Sequence, residues 1–188
     1  GETSSSFAFY NRTSTGTDRN VKNNLFINTR NGGTTGKHYA VRFGTVSNLF
    51  IDYNNYYAPN GVLGWLSSDK TTLAAWKAAT SQDMNSYNED PQFVNIGIDH
   101  EPFYPALTHL GATNTGIATD YTGQNRSESS PKIGALEINE IVWQGGTNTD
   151  FNTGSNWIGG LVPDNGASIR FAESPDNHCV LDQNRVFG

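Results

Sequence analysis

Short apolar runs, separated by segments rich in Gly, Thr, Ser and Asn, make up the first third of the chain. They predict strands at residues 7–10, 20–26, 38–43 and 48–53, the last running on into Tyr56 and Tyr57, with turns at 13–18 and 31–36. Along His38-Tyr39-Ala40-Val41-Arg42-Phe43 the alternation sets Tyr39, Val41 and Phe43 on one face. Tyr56 and Tyr57 are consecutive, so one faces in and the other out. The stretch Val21-Lys22-Asn23-Asn24-Leu25-Phe26 is echoed, about 31 residues later, by Asp52-Tyr53-Asn54-Asn55-Tyr56-Tyr57, a period in the solenoid range. An apolar unit of this size cannot bury its inner face alone and has to stack on a neighbour. Asn suits the corner of such a coil because it tolerates the left-handed conformation, and stacked copies can form an amide ladder. The expectation is parallel strands stacked as coils over residues 5–60, with Val21, Leu25, Leu49 and Ile51 among the buried side chains.

The texture then changes. Residues 69–80 predict a helix, capped by Thr71 or Asp69, with Leu73, Trp76 and Ala79 on one apolar stripe and Trp76 mostly buried together with Leu73. Asp90-Pro91-Gln92-Phe93-Val94 and a long irregular stretch through Pro102, Pro105 and Gly111 follow, closing at residues 130–138. A new register opens with Ile141-Val142-Trp143-Gln144-Gly145-Gly146, and further strands are expected at 168–172 and 179–181 before the chain stops at Gly188. About fifty residues with few strands is small for an independent β domain. The expected division is therefore residues 1–138 and residues 139–188, the second being the truncated start of another β-rich module.

Composition narrows the class. Of 188 residues 35% are apolar and only 16% charged, which fits an all-β chain of short strands and polar turns, and 12% aromatics argue against disorder. A net charge of −6 disfavours nucleic acid and anionic membrane surfaces, and no apolar run is long enough to span a bilayer. Cys179 is the single cysteine, so no internal disulfide forms.

A series of landmarks carries a resemblance. Asn54-Asn55-Tyr56-Tyr57 leads to Leu73-Ala74-Ala75-Trp76, then Ser81-Gln82-Asp83 and Asp90-Pro91-Gln92-Phe93-Val94. Thr119-Asp120-Tyr121-Thr122-Gly123-Gln124-Asn125-Arg126 and Pro131-Lys132-Ile133-Gly134-Ala135-Leu136-Glu137 follow. In this order they resemble the last coils and closure of secreted right-handed parallel β-helix proteins, the pectin-lyase-like superfold, of the Bacteroidetes cell-surface type. The pattern from Trp143 to Pro163, Trp-x-Gly-Gly-Thr, Asp-Phe-Asn, Ser-Asn-Trp and Val-Pro, looks like the start of a module found in the same surface proteins. The resemblance implies an all-β, right-handed parallel β-helix with one short helix, an extracellular or bacterial cell-surface location, and neighbouring domains in a longer chain.

No catalytic signature is present: no phosphate-binding loop with a Lys, no HExxH and no GxSxG. The Gly-rich residues 31–36 precede a strand and read as a turn. Enzymes of the resembled superfold set acids and bases on one face of their coils, for which Lys37, His38, Arg42 and Asp52 are the candidates. His38 and Arg42 lie four apart on one strand, about 13 Å along it, which does not make a tight constellation, and Asp52 has no carboxylate partner for hydrolysis. The simpler reading is a solvated strand face. Tyr53, Tyr57 and Trp65 are the candidates for stacking on sugars, against the simpler reading of ring-on-ring packing between coils. For metals, Asp99-His100-Glu101 and His178-Cys179 alternate faces in an extended chain and cannot simply chelate. Asp120 is a candidate for a calcium loop, calcium being the one ion expected if any is bound.

Two functions remain in view. One is a structural or adhesive segment of a large exported cell-surface protein, in contact with polysaccharide or other surface components. The other is the C-terminal part of a β-helical polysaccharide lyase or glycoside hydrolase.

Overall fold

A computed structural model describes residues 4–12, 17, 19–32, 35–91, 93–95, 99–102, 110–137, 140–160, 162–163, 168–172 and 175–181. Most of the predicted turn at 13–18, the boundary at Asn139 and the chain end at 185–188 lie outside these residues. The chain divides into two compact units: Gly1–Asp90 with Leu110–Ala135, and Pro91–His109 with Leu136–Gly188.

The first unit is a stack of parallel coils, a β-solenoid. One coil supplies β1 (Ser6–Asn11), β2 (Arg19–Lys22) and β3 (Leu25–Ile27), and the next supplies β4 (His38–Phe43), β5 (Leu49–Asp52) and β6 (Asn55–Tyr57). Each pairs in parallel with its counterpart: Ser6 with His38, Arg19 with Leu49, Leu25 with Asn55. The predicted strand at 20–26 is thus two strands, broken where Asn23 turns left-handed at φ 59°. A third pass brings β7 (Val62–Leu66) in parallel against β4, then reverses into β8 (Ser68–Lys70), antiparallel to β7.

The register corrects the repeat. Asn24 lies on Asn54, 30 residues on, with its Nδ2 donating to Asn54 Oδ1 at 3.0 Å. Asn23 faces Tyr53, donating its backbone N–H to the Tyr53 carbonyl, and both residues are left-handed, at φ 59° and 55°. The two Asn-Asn pairs are therefore offset by one position, because the left-handed corner rather than the letter pattern sets the stacking. The ladder is real but short. Beyond Asn54 it continues not with another Asn but with Ser86 and Asp83.

The core of this unit gathers Phe26, Ala40, Val41, Phe43, Leu49, Ile51, Tyr56, Leu63 and Trp76. Leu49 and Ile51 are buried as expected, whereas Val21 and Leu25 are half-buried. Tyr56 is fully buried and Tyr57 half-exposed, the inward and outward pair foreseen. Helix α1 (Leu73–Thr80) is shorter than predicted, and its cap is Thr72, whose hydroxyl accepts from the Ala75 N–H at 3.1 Å. Asp69 instead belongs to β8. The buried stripe of α1 is Trp76 and Thr80; Leu73 is half-buried and Ala79 exposed. The Trp76 ring packs against β7, where a Cβ on Gly64 would sit 2.7 Å from it, so glycine is the residue that fits without a shift.

Asp83, buried at 1% exposure, ties the coils together. It accepts from Tyr56 Oη at 2.8 Å, Trp76 Nε1 at 2.8 Å and the Ser86 hydroxyl. Burial first, then the charge and hydrogen bond of Asp83, push the Tyr56 phenol well above its ordinary pKa of 10. The folded chain therefore keeps a proton that the unfolded chain releases near pH 10, so this stabilisation is intact below that pH and is lost as pH rises above it. The melting temperature is expected to fall on the alkaline side of about pH 10, more steeply in the wild type than in Tyr56→Phe. Parallel alkaline slopes in the two proteins would assign the effect elsewhere.

Residues 110–135 return to the first coil. The Asn23 side chain bonds both the carbonyl (3.0 Å) and the N–H (2.6 Å) of Ala112, and Gly134 donates to the Asn23 carbonyl at 2.9 Å.

The second unit holds β9 (Phe93–Asn95) and β10 (Asp99–Pro102), paired antiparallel, and β11 (Glu140–Trp143) parallel to β12 (Ser168–Phe171). Its core is Trp143, Phe151 and Trp157, with Trp157 edge-on to the other two rings at 5.0 and 4.8 Å. Asn156 is fully buried and fully bonded. Its Oδ1 accepts from Thr147 N and Asn148 N, and its Nδ2 donates to Asn148 Oδ1 and the Asp150 carbonyl. Among the described residues no helix is long and apolar enough to cross a membrane.

Candidate functional site

Strands β1, β4, β7 and β8 lie side by side in one sheet and bring together residues far apart in sequence. Their registers place Tyr10 beside Arg42, Arg42 beside Trp65, and Trp65 beside Asp69. The Arg42 guanidinium carbon lies over three rings, 4.4 Å from the centroid of Trp65, 5.2 Å from Tyr10 and 5.4 Å from Phe7. Such contacts contribute about 0.5–1 kcal/mol each where exposed and more where dry. Its Nε is buried with no hydrogen-bond partner, and no ion pair neutralises it among the described residues. Phe7 in turn stacks on Tyr39 at 5.3 Å, inclined by 19°. Tyr39 is therefore buried in this aromatic set and not in the core with Val41 and Phe43, which departs from strict alternation along β4.

An acidic group closes one side. Asp69 accepts from Tyr39 Oη at 3.0 Å and pairs with Lys37. The hydrogen bond from Lys37 holds the Asp69 carboxyl below its ordinary range and holds the Lys37 ammonium above its own. Burial, then Asp69, raises the Tyr39 phenol. The pair is half-exposed, and in water it orders the side chains more than it stabilises the fold.

The remaining catalytic candidates do not converge with Arg42. His38 is buried, with Nδ1 2.8 Å from Ser6 Oγ and Nε2 3.0 Å from the Gly32 carbonyl, so both ring nitrogens are engaged in joining chain segments. Asp52 accepts at Oδ1 from Tyr53 N and Asn85 N, and at Oδ2 from Asn85 Nδ2, stapling its coil to the next. Lys37 is held by Asp69.

Of the sugar-stacking candidates only Trp65 belongs to this set. Tyr53 occupies the left-handed corner, and Tyr57 donates its hydroxyl to Asp90 at 2.8 Å. Phe7 and Tyr10 do not stand out in the sequence, because nothing local links them to Arg42; the link is a 32-residue register.

Asp120, the calcium candidate, uses Oδ1 to accept from Thr122 N, Thr122 Oγ1 and Gln124 N, the bonding of a tight Asx turn. Asp99 to Glu101 lie on β10, and His178 is exposed next to half-buried Cys179. Among the described residues no three His, Cys, Asp or Glu side chains group so as to hold a metal ion. Comparison of the chain with protein-family models, with curated proteins and with solved structures finds no match.

Proposed function

We propose that the chain is a structural or adhesive segment of a large exported cell-surface protein, its coils of the right-handed pectin-lyase-like kind, meeting polysaccharide on the face around Arg42. One observation carries the reading: the side chains best suited to acid–base work, His38, Asp52 and Lys37, are engaged in bonds between chain segments, while half-exposed Arg42 lies over aromatic rings with no acidic partner among the described residues. A planar cation on a broad apolar platform suits a sugar ring bearing a carboxylate, because the rings supply stacking area and the guanidinium a charge-assisted fork. The neighbouring-domain, surface-location and Bacteroidetes readings rest on the sequence resemblance alone.

The test is retention on immobilised acidic and neutral polysaccharides. Arg42→Ala and Trp65→Ala are each expected to weaken retention about tenfold, as loss of one charged hydrogen bond or stacking contact implies. Undiminished binding by both variants would remove the site. The same panel, followed by unsaturated-product absorbance and reducing ends, addresses the runner-up, a lyase or hydrolase. No turnover is expected, and turnover abolished by His38→Ala would promote that reading.

A further inference from the structure

We infer that Asn31 is a self-modifying position, converting to aspartate and isoaspartate in the folded chain while the chemically equivalent Asn60 is protected. Both asparagines precede glycine, the neighbour that least hinders attack by its own backbone nitrogen, and both are exposed. A third such pair, Asn165-Gly166, lies outside the described residues.

The two described pairs differ in what restrains them. At residue 60 the Asn60 amide donates to the Thr29 carbonyl at 3.2 Å, and the attacking nitrogen, Gly61 N, donates to the Ala58 carbonyl at 3.1 Å. Gly61 is also pressed against the neighbouring coil, where a Cβ on it would lie 2.0 Å from the His38 carbonyl oxygen. Side chain and nitrogen are thus both held, and the approach of one to the other would break two bonds in a tight space. At residue 31 the described residues impose no such restraint. Neither the Asn31 amide nor the Gly32 N–H has a hydrogen-bond partner among the described residues, and a Cβ on Gly32 would meet nothing within 4 Å.

The chemistry balances with water alone. Gly32 N attacks Asn31 Cγ; the N–Cγ bond forms, the Cγ–Nδ2 bond breaks, and Nδ2 leaves as ammonia with the proton from the Gly32 N–H. Water then opens the succinimide at either carbonyl, giving aspartate or isoaspartate, with no change of oxidation state. The isoaspartate product inserts a backbone methylene immediately before Gly32. Because the Gly32 carbonyl faces His38 Nε2 at 3.0 Å, conversion displaces the anchor of that buried ring.

The full chain, held in mildly alkaline buffer and sampled over time, is mapped by peptide mass spectrometry and by isoaspartyl methyltransferase labelling, folded and in urea. The folded chain is expected to gain one mass unit and label in the peptide holding Asn31 while the peptide holding Asn60 stays unchanged; in urea both convert. Equal conversion of the two in the folded chain, or an intact Asn31, overturns the inference. In the aged chain the His38 ring carbon–proton NMR signals are expected to shift, and in Asn31→Gln they are not; unshifted signals in fully converted protein overturn the coupling to His38.

Discussion

Replacing Trp76 by alanine is expected to lower the stability of the stacked-coil unit by about 3–5 kcal/mol, the range for a fully buried Trp. Trp76 is wholly buried and is the largest side chain that the helix sends into the core, with half-buried Leu73 packed beside it. Its ring meets Phe43 at 5.7 Å and Tyr56 at 5.9 Å, and its indole N–H donates to Asp83. Truncation opens a cavity against three rigid neighbours, since β7 cannot close in without losing its ladder to β4. Trp76→Phe, which keeps most of the bulk but not the donor, is expected to cost less. Gly64→Ala is expected to destabilise by about 1–3 kcal/mol, as overpacking does, because its methyl enters the space of the same ring. Thermal unfolding of the three variants followed by near-ultraviolet circular dichroism provides the check. If Trp76→Ala melts with the wild type, the helix does not support the coils.

What the chain discloses by itself follows from which forces are local. Alternation and caps are local, so the strand from His38 to Phe43 and the helix around Trp76 are visible in the letters. The parallel stacking is visible too, because an apolar run with an Asn corner recurs. Its exact register is not: two Asn-Asn pairs invite a direct superposition, whereas the left-handed conformations of Asn23 and Tyr53 move it by one residue. Strand β7 is hidden in the letters because Gly61 and Gly64 interrupt the apolar pattern, and both glycines answer to contacts with distant residues, His38 and Trp76; β8 is polar throughout, and its Asp69 and Lys70 read as the start of the helix. The same distinction governs the site. Arg42 and Trp65 stand out by residue type, but Phe7 and Tyr10 join them only through pairing between coils. In the second unit the landmarks Trp143, Phe151 and Trp157 are the core itself, and the role of Asn156 as hub of its turn becomes plain only when its four bonds close.

Asp83→Ala is expected to cost about 3–5 kcal/mol, because it leaves several buried donors without an acceptor at about 1–3 kcal/mol each. Tyr56 Oη, Trp76 Nε1 and Ser86 Oγ all converge on this carboxyl group. The position is also left-handed, at φ 62°, where an alanine carries a further steric penalty that Asp and Asn largely escape. Asp83→Asn separates the two effects: it tolerates the backbone and keeps one acceptor oxygen, but turns an amide NH2 toward groups that are themselves donors. Its cost is therefore expected to fall between wild type and Asp83→Ala. Tyr56→Phe removes one donor, so combining it with Asp83→Ala should destabilise by less than the sum of the single changes, with a coupling of about 0.5–3 kcal/mol. Urea unfolding of the four proteins measures that cycle. Strict additivity would mean that Asp83 does not hold Tyr56 in the folded chain, and that the coils are joined there by strand pairing, the Asn24–Asn54 ladder and ring packing.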